Sequence, residues 1–140
     1  MKRCPCCNAR LSDALLCPRC GADLSRVLRC EQLAKQWLAL SLQTLEAGHA
    51  TIAAHAVNRS LSYRQTPEAR IFREFLIRHQ YSALYDSLAR QDWPSVRRTV
   101  SNLHVLQGNN EALSRFQEFI DHLSARSTNH SEPFSRWHLL

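Results

Sequence analysis

Glycine is scarce in this sequence of 140 residues, which has only three glycines and no long apolar run. So little glycine disfavours a loop-rich fold, because glycine is the residue that tight turns most often need. The longest apolar region, residues 37–45, is broken by Ser41, Gln43 and Thr44, whereas roughly 18 to 20 apolar residues are needed to cross a bilayer. The first residues also lack the apolar run of a signal peptide. We therefore expect a cytoplasmic protein with no membrane insertion.

Apolar residues make up 44% of the chain and charged residues 21%, which is enough to form a buried core. Leucine, alanine, glutamine and arginine are abundant, and this balance favours helices over strands. The formal net charge is +6, and a site with four thiolates and one Zn²⁺ would lower it by two. The charge is mild and spread out, so it permits a nucleic-acid or acidic partner without indicating either.

Helical periodicity predicts a mainly α fold with about five helices and no strands outside the N-terminal region. Local signals mark the helix ends: Ser25 as a capping residue, Gly48 as a stop, and starts at Thr66-Pro67-Glu68, Asp92-Trp93-Pro94 and Asn110, with another stop at Gly108. The third helix is predicted either to continue to Arg90 or to bend near His79. The composition turns polar after Ala125, which is typical of a flexible tail.

The predicted buried faces follow the same spacing. We expect these inner positions: Ala34, Trp37, Leu38, Ser41, Leu42 and Leu45; then Ala53, Ala56, Val57, Ser60 and Leu61; then Ile71, Phe72, Phe75, Leu76, Tyr81, Leu84, Tyr85 and Leu88; then Val96, Val100 and Leu103; then Leu113, Phe116, Ile120 and Leu123. The small residues of the second set would let it pack closely against the first helix as an antiparallel hairpin. Cys30, on the first helix, is expected to be a small core residue.

Two Cys-x-x-Cys pairs stand close together at the N-terminus, formed by Cys4, Cys7, Cys17 and Cys20. Two such turns can direct four sulfur atoms at one point, and Zn²⁺ accepts the resulting tetrahedron. Two other interpretations are structural thiols or disulfides, and an iron site of the rubredoxin kind. Rubredoxins use a much longer segment between the pairs and an aromatic core around the metal. Cys6, inside the first pair, is expected to be an exposed bystander or a thiol that substitutes for a neighbour.

This segment resembles the short zinc-ribbon families, whose hallmark is Cys-Pro-x-Cys-Gly repeated after a brief loop. The two halves here are residues 4–8 and 17–21, with Asn8 in the position where glycine is usual. The resemblance implies a structural Zn²⁺ held by the four cysteines. It does not imply one function, since such ribbons serve many.

The chain from Ala34 to Pro67 resembles a tetratricopeptide repeat, a helix-turn-helix unit that often binds proteins. The matching positions are Trp37, Leu40, Ser41, Gly48, Ala53, Val57, Ser60 and Pro67, and a weaker second copy follows. A generic helical bundle is the alternative. We predict a zinc ribbon over residues 1–24, a helical module over 25–125 and a flexible tail over 126–140. The tail contains Phe134 and Trp137, which either dock on the helices or are offered to a partner.

The function expected from these features is a non-enzymatic adaptor or assembly factor that binds a protein partner. A site with four cysteine ligands has no open position for substrate, and no catalytic set of side chains can be located. Nucleic-acid binding through the basic ribbon is the alternative, although the ribbon has no aromatic residue for stacking on a base. Metal transfer that involves Cys6 is a third hypothesis.

Overall fold

The computed structural model describes residues 1–12 and 14–129, and these contain five α-helices. The helices are α1 (Ser25–Glu46), α2 (Ala50–Tyr63), α3 (Pro67–Ala89), α4 (Trp93–Gln107) and α5 (Glu111–Asn129). Within the described residues, extended pairing is limited to two isolated bridges in the N-terminal segment. The mainly helical fold with five helices is therefore confirmed. The predicted roles of Phe134 and Trp137 lie outside the described residues.

Most helix ends lie where capping chemistry predicts them. The Thr66 hydroxyl accepts the Ala69 amide at 3.3 Å at the start of α3. Before α4, the Asp92 carboxylate accepts both the amide of Ser95 at 3.4 Å and its hydroxyl at 2.7 Å. The contacts of the Ala69 and Ser95 amides each satisfy a backbone N–H in the first turn of a helix, where no carbonyl of the same helix is available. The chain leaves α4 at Gly108, which has a φ of 70°.

Two helix ends differ from the prediction, and the structure decides between the two alternatives for the third helix. Ser25 is the first helical residue of α1 rather than its cap, and its amide donates to the Asp23 carboxylate at 3.0 Å. The third helix continues without a break to Ala89. The last helix ends at Asn129, beyond Ala125 where the polar composition begins, because serine, threonine and asparagine are tolerated in an exposed last turn.

The described chain divides into two compact units, residues 1–76 and the residues from Ile77 onwards, with the boundary inside α3. The predicted domain limits remain a prediction. In the first unit, α1 and α2 form a closely packed hairpin. The Ser41 hydroxyl donates to the Ala53 carbonyl at 2.7 Å, and the Ser60 hydroxyl donates to the Ala34 carbonyl at 2.7 Å. All four residues are buried, so the small side chains allow the backbones to approach within reach of a hydroxyl.

Two further contacts, both at more exposed positions, join α2 or the residue after it to α1. The Arg59 guanidinium of α2 lies over the ring of Trp37, 6.0 Å from the ring centroid, and it also lies 5.5 Å from the ring centroid of Tyr63 on its own helix. Arg64, just after α2, forms an ion pair with Glu31 of α1. The cation–π contact with Arg59 covers part of the Trp37 ring, which is only partly buried.

The second unit contains the end of α3 with α4 and α5. Its core is formed by fully buried aliphatic side chains, namely Leu84, Val96, Val100, Leu103, Leu106 and Ile120. One polar pair is buried among them, because the Asn102 amide donates to the Gln80 side-chain oxygen at 3.0 Å. Each side chain thereby has a hydrogen-bond partner, which a buried amide needs in an otherwise aliphatic core.

The predicted inner face is confirmed for α2 and α4, whereas parts of it are wrong for α1 and α3. All five inner positions predicted for α2 are buried. Leu42 of α1 is exposed, and so are Ile71, Phe75 and Tyr85 of α3. Cys30 is only half-buried. The reason is that helical spacing marks a broad apolar stripe, and only part of that stripe is buried in the fold.

No helix within residues 1–12 and 14–129 combines the length and the apolar character needed to cross a bilayer.

Candidate metal centre

The N-terminal segment consists of two turns with the same backbone hydrogen bonds. In the first, the Cys4 amide donates to the Ala9 carbonyl and the Asn8 amide donates to the Cys4 carbonyl, both at 2.9 Å. The second repeats this pattern with Cys17, Gly21 and Ala22, again at 2.9 Å. An antiparallel bridge flanks each turn, between Arg3 and Arg10 and between Leu16 and Asp23.

Left-handed backbone at one residue in each turn makes this geometry possible. Asn8 has a φ of 60° and Gly21 has a φ of 71°. Glycine adopts this conformation freely, and asparagine is one of the few other residues that tolerate it. The substitution of Asn8 for the usual glycine therefore preserves the turn.

The two turns bring the four predicted cysteines together. Their sulfur atoms all lie within 4.8 Å of one another, with Cys4 Sγ and Cys20 Sγ 3.6 Å apart and Cys7 Sγ and Cys17 Sγ also 3.6 Å apart. Four sulfurs around a tetrahedral Zn²⁺ would be about 3.8 Å apart, given Zn–S bonds of about 2.3 Å. The cysteines are free thiols at these distances. The donor set and its spacing therefore fit one metal ion.

Backbone amides point at the first sulfur of each pair. The amide of Cys7 is the main cause that lowers the pKa of the Cys4 thiol, and the amide of Cys6 contributes at an N···S distance of 3.4 Å. Hydrogen bonds from the backbone amide of Cys20, and then from that of Arg19, likewise lower the pKa of Cys17 to about 6. Hydrogen bonds to sulfur stabilise the thiolate, which is the form that binds metal.

The fourth thiol, Cys20, shows how the closeness of the other sulfurs changes the pKa of a cysteine in this site. The Ala22 amide acts to lower the pKa of Cys20, but desolvation and the neighbouring thiols raise it to about 12. Four negative charges cannot gather in this volume without a compensating cation. A bound divalent cation would offset this repulsion and favour the thiolate at all four positions.

The cysteines also form the core of the N-terminal segment. Its fully buried residues are Cys4, Cys17 and Leu24, and the partly buried residues packed around them are Cys7, Ala9, Leu11, Ala22 and Leu28. Leu28 belongs to α1, so this small core extends to the first helical turn. A core this small gives little hydrophobic stabilisation of its own, and the sulfur cluster lies at its centre.

The structure separates the other two cysteines from this cluster. Cys6 is exposed and is not one of the four clustered residues, although its backbone amide donates to Cys4 Sγ at 3.4 Å and its thiol also interacts with Cys4. Within residues 1–12 and 14–129, the four clustered cysteines are the one group of three or more metal-ligating side chains. The sequence predicted the cluster, but it did not indicate that the amides of Cys7 and Cys20 direct the first sulfur of each pair.

Fold and site together define the class: a mainly helical protein with a compact N-terminal cysteine cluster that could hold a metal ion. No known family model, curated protein or solved structure matches the chain.

Proposed function

We propose that the chain is a non-enzymatic adaptor whose N-terminal ribbon is ordered by Zn²⁺ and whose TPR-like helical module binds a protein partner. The observation that carries the metal part is the convergence of four free thiols at tetrahedral spacing. Zinc is favoured over iron because the buried neighbours of the sulfurs are aliphatic and small, without aromatic rings around the metal. Four cysteine ligands fill a tetrahedral zinc, so the site supports a structural role.

Exposed apolar side chains on α3 support the interaction part of the proposal. Ile71 is 70% exposed and Phe75 is 53% exposed, and they lie four residues apart on one helical face. The Phe75 ring stacks on Phe72, with centroids 6.1 Å apart. Large apolar residues grouped on a surface mark sites where another protein binds. The α1–α2 hairpin, with its buried small residues, is the part that a tetratricopeptide arrangement would require.

Two measurements on the full chain test this proposal. Metal analysis of freshly purified protein is expected to give one zinc per chain, falling to background in the variant with both Cys17→Ser and Cys20→Ser. Affinity capture from the native cell, followed by mass spectrometry, is expected to recover a protein partner with the parent chain and to lose it with Ile71→Glu and Phe75→Glu. The matched control is Ile52→Glu, an exposed apolar position on α2. If the parent chain and all three variants capture the partner equally, the α3 surface is not the binding site.

Nucleic-acid binding is a second candidate, favoured by one specific observation. All six basic residues of the ribbon and the start of α1 are exposed, namely Lys2, Arg3, Arg10, Arg19, Arg26 and Arg29. Contacts with phosphates would make the affinity fall steeply as salt rises. Retention on immobilised nucleic acid that is absent or insensitive to salt removes this candidate.

A further inference from the structure

A groove in the second unit is lined by the end of α3, the start of α4 and the second half of α5. Its volume is about 570 Å³, and its lining residues include Leu88, Trp93, Phe119, Leu123, Arg126 and Ser127. Most of the lining is apolar, because four of its seven side chains are aliphatic or aromatic, and Gln91 is the seventh. The volume is in the range of about 300 to 1,000 Å³ that is usual for binding pockets.

An aromatic side chain on one wall of this groove has little cover. Phe119 is 55% exposed, although its ring contacts that of Phe116 with centroids 6.4 Å apart. Trp93 and Leu123 are only partly buried. Apolar surface of this kind gains free energy when another apolar group covers it.

Apolar residues follow the groove in the sequence of the chain itself. Ser127 lines the groove, and α5 ends two residues later at Asn129. The sequence continues with residues 130–140, which include Phe134, Trp137 and two leucines.

The length of this segment is sufficient to reach the groove. Eleven residues can extend over roughly 36 Å at about 3.3 Å per residue. The α5 wall from Phe119 to Ser127 is only about 12 Å long at 1.5 Å per residue.

We propose that this groove is the docking site of the chain's own segment 133–140, with Phe134 and Trp137 as the anchoring side chains. A partner that carries a similar pair of aromatic residues would compete with it for the groove. The proposal does not depend on the zinc site or on the α3 surface.

The test places the photoreactive residue benzoylphenylalanine at position 134 of the full chain and maps the cross-links by mass spectrometry after irradiation. Cross-links within one chain to residues 88–93 or 119–127 are expected. Phe119→Glu is expected to abolish them. Phe75→Glu is the matched control, because Phe75 is equally exposed and also contacts a phenylalanine three residues before it. This control is expected to keep them.

Each other outcome overturns the proposal. Cross-links between two chains assign the groove to a second copy, and cross-links outside the groove, or none, remove the segment as its occupant. Equal loss with Phe119→Glu and Phe75→Glu means that the contact is not specific to the groove. Far-UV circular dichroism verifies that each variant is folded, and Phe119→Ser, which removes the ring without adding a charge, replaces Phe119→Glu if that variant unfolds.

Discussion

The two buried serines between α1 and α2 allow a quantitative test of how the hairpin is held together. Ser41 and Ser60 each donate a 2.7 Å hydrogen bond to a carbonyl of the opposite helix. An alanine substitution removes one such bond, which contributes about 1 kcal/mol net to the free energy of unfolding. Alanine has the higher helix propensity, and this offsets up to roughly 0.5 kcal/mol of the loss.

Ser62 provides the matched control. It lies on the same helix as Ser60, but it is exposed and its hydroxyl bonds only to the nearby Arg59 carbonyl. Ser62→Ala therefore gains the helix propensity without losing a contact between helices. We expect Ser60→Ala to be less stable than Ser62→Ala by about 1 kcal/mol.

The double variant tests whether the two bonds act independently. Ser41 and Ala34 are seven residues apart on α1, as are Ser60 and Ala53 on α2, so the bonds are separated by about 10 Å along the helix axis. Losses at such a distance usually add within about 0.5 kcal/mol. The assay is equilibrium urea unfolding followed by circular dichroism, with zinc present throughout. Equal stability of Ser60→Ala and Ser62→Ala would refute the proposed role of the bonds.

Three further predictions concern the metal site, a helix cap and the core. Chelation, or Cys17→Ser, is expected to remove hydrogen-exchange protection from residues 1–24 and to leave the helical circular dichroism signal largely intact. Hydrogen bonds from the Ser95 hydroxyl, and then from the Ser95 amide, lower the pKa of Asp92. The cap therefore adds stability above about pH 4, and this stability is lost as the pH falls through the lowered pKa. The Tm of the parent chain should exceed that of Asp92→Asn near neutral pH, and the difference should shrink in acid. Leu103→Ala is expected to cost about 2 to 5 kcal/mol in urea unfolding, whereas Leu42→Ala should change stability by less than about 0.5 kcal/mol.

Helix ends could be predicted from the sequence because their causes are local. Thr66 and Asp92 each bond to an amide three residues ahead, so the whole interaction lies within one turn. Asn110 similarly accepts the amide of Ala112 at 3.0 Å. Ser25 was the exception, since Asp23, two residues earlier, accepts its amide and takes part in starting the helix.

Burial could be predicted only where both sides of the contact are apparent from spacing. The α2 face is buried because α1 offers Ala34 and Ser41 directly opposite it. On α3, Leu76 and Phe75 are adjacent apolar residues, yet the first is fully buried and the second is half exposed. The helical pattern places both on the same broad stripe, and only the position of neighbouring helices decides between them.

The cysteine pairs were predictable for a similar reason, since each pair is one turn of chain. What spacing does not reveal is the direction of the backbone amides. In the structure, those of Cys7 and Cys20 point at the first sulfur of each pair, and each lies just before a residue with left-handed backbone, Asn8 or Gly21. The ability of the site to favour thiolates therefore arises from backbone conformation as well as from residue type.

The different composition of the two cores indicates which part of the first unit depends on metal. The hairpin is held by Val57, Leu61 and buried small residues, none of which would bind a metal. Among the described residues 1–12 and 14–24, Leu24 is the only fully buried residue apart from two of the clustered cysteines. Segments this short rarely fold without a metal or disulfides, because they bury too little apolar surface. Limited proteolysis with chelator present should therefore cut first within residues 1–24, and an N-terminal segment that stays protected without metal would show that Leu24 and its neighbours order the ribbon by themselves.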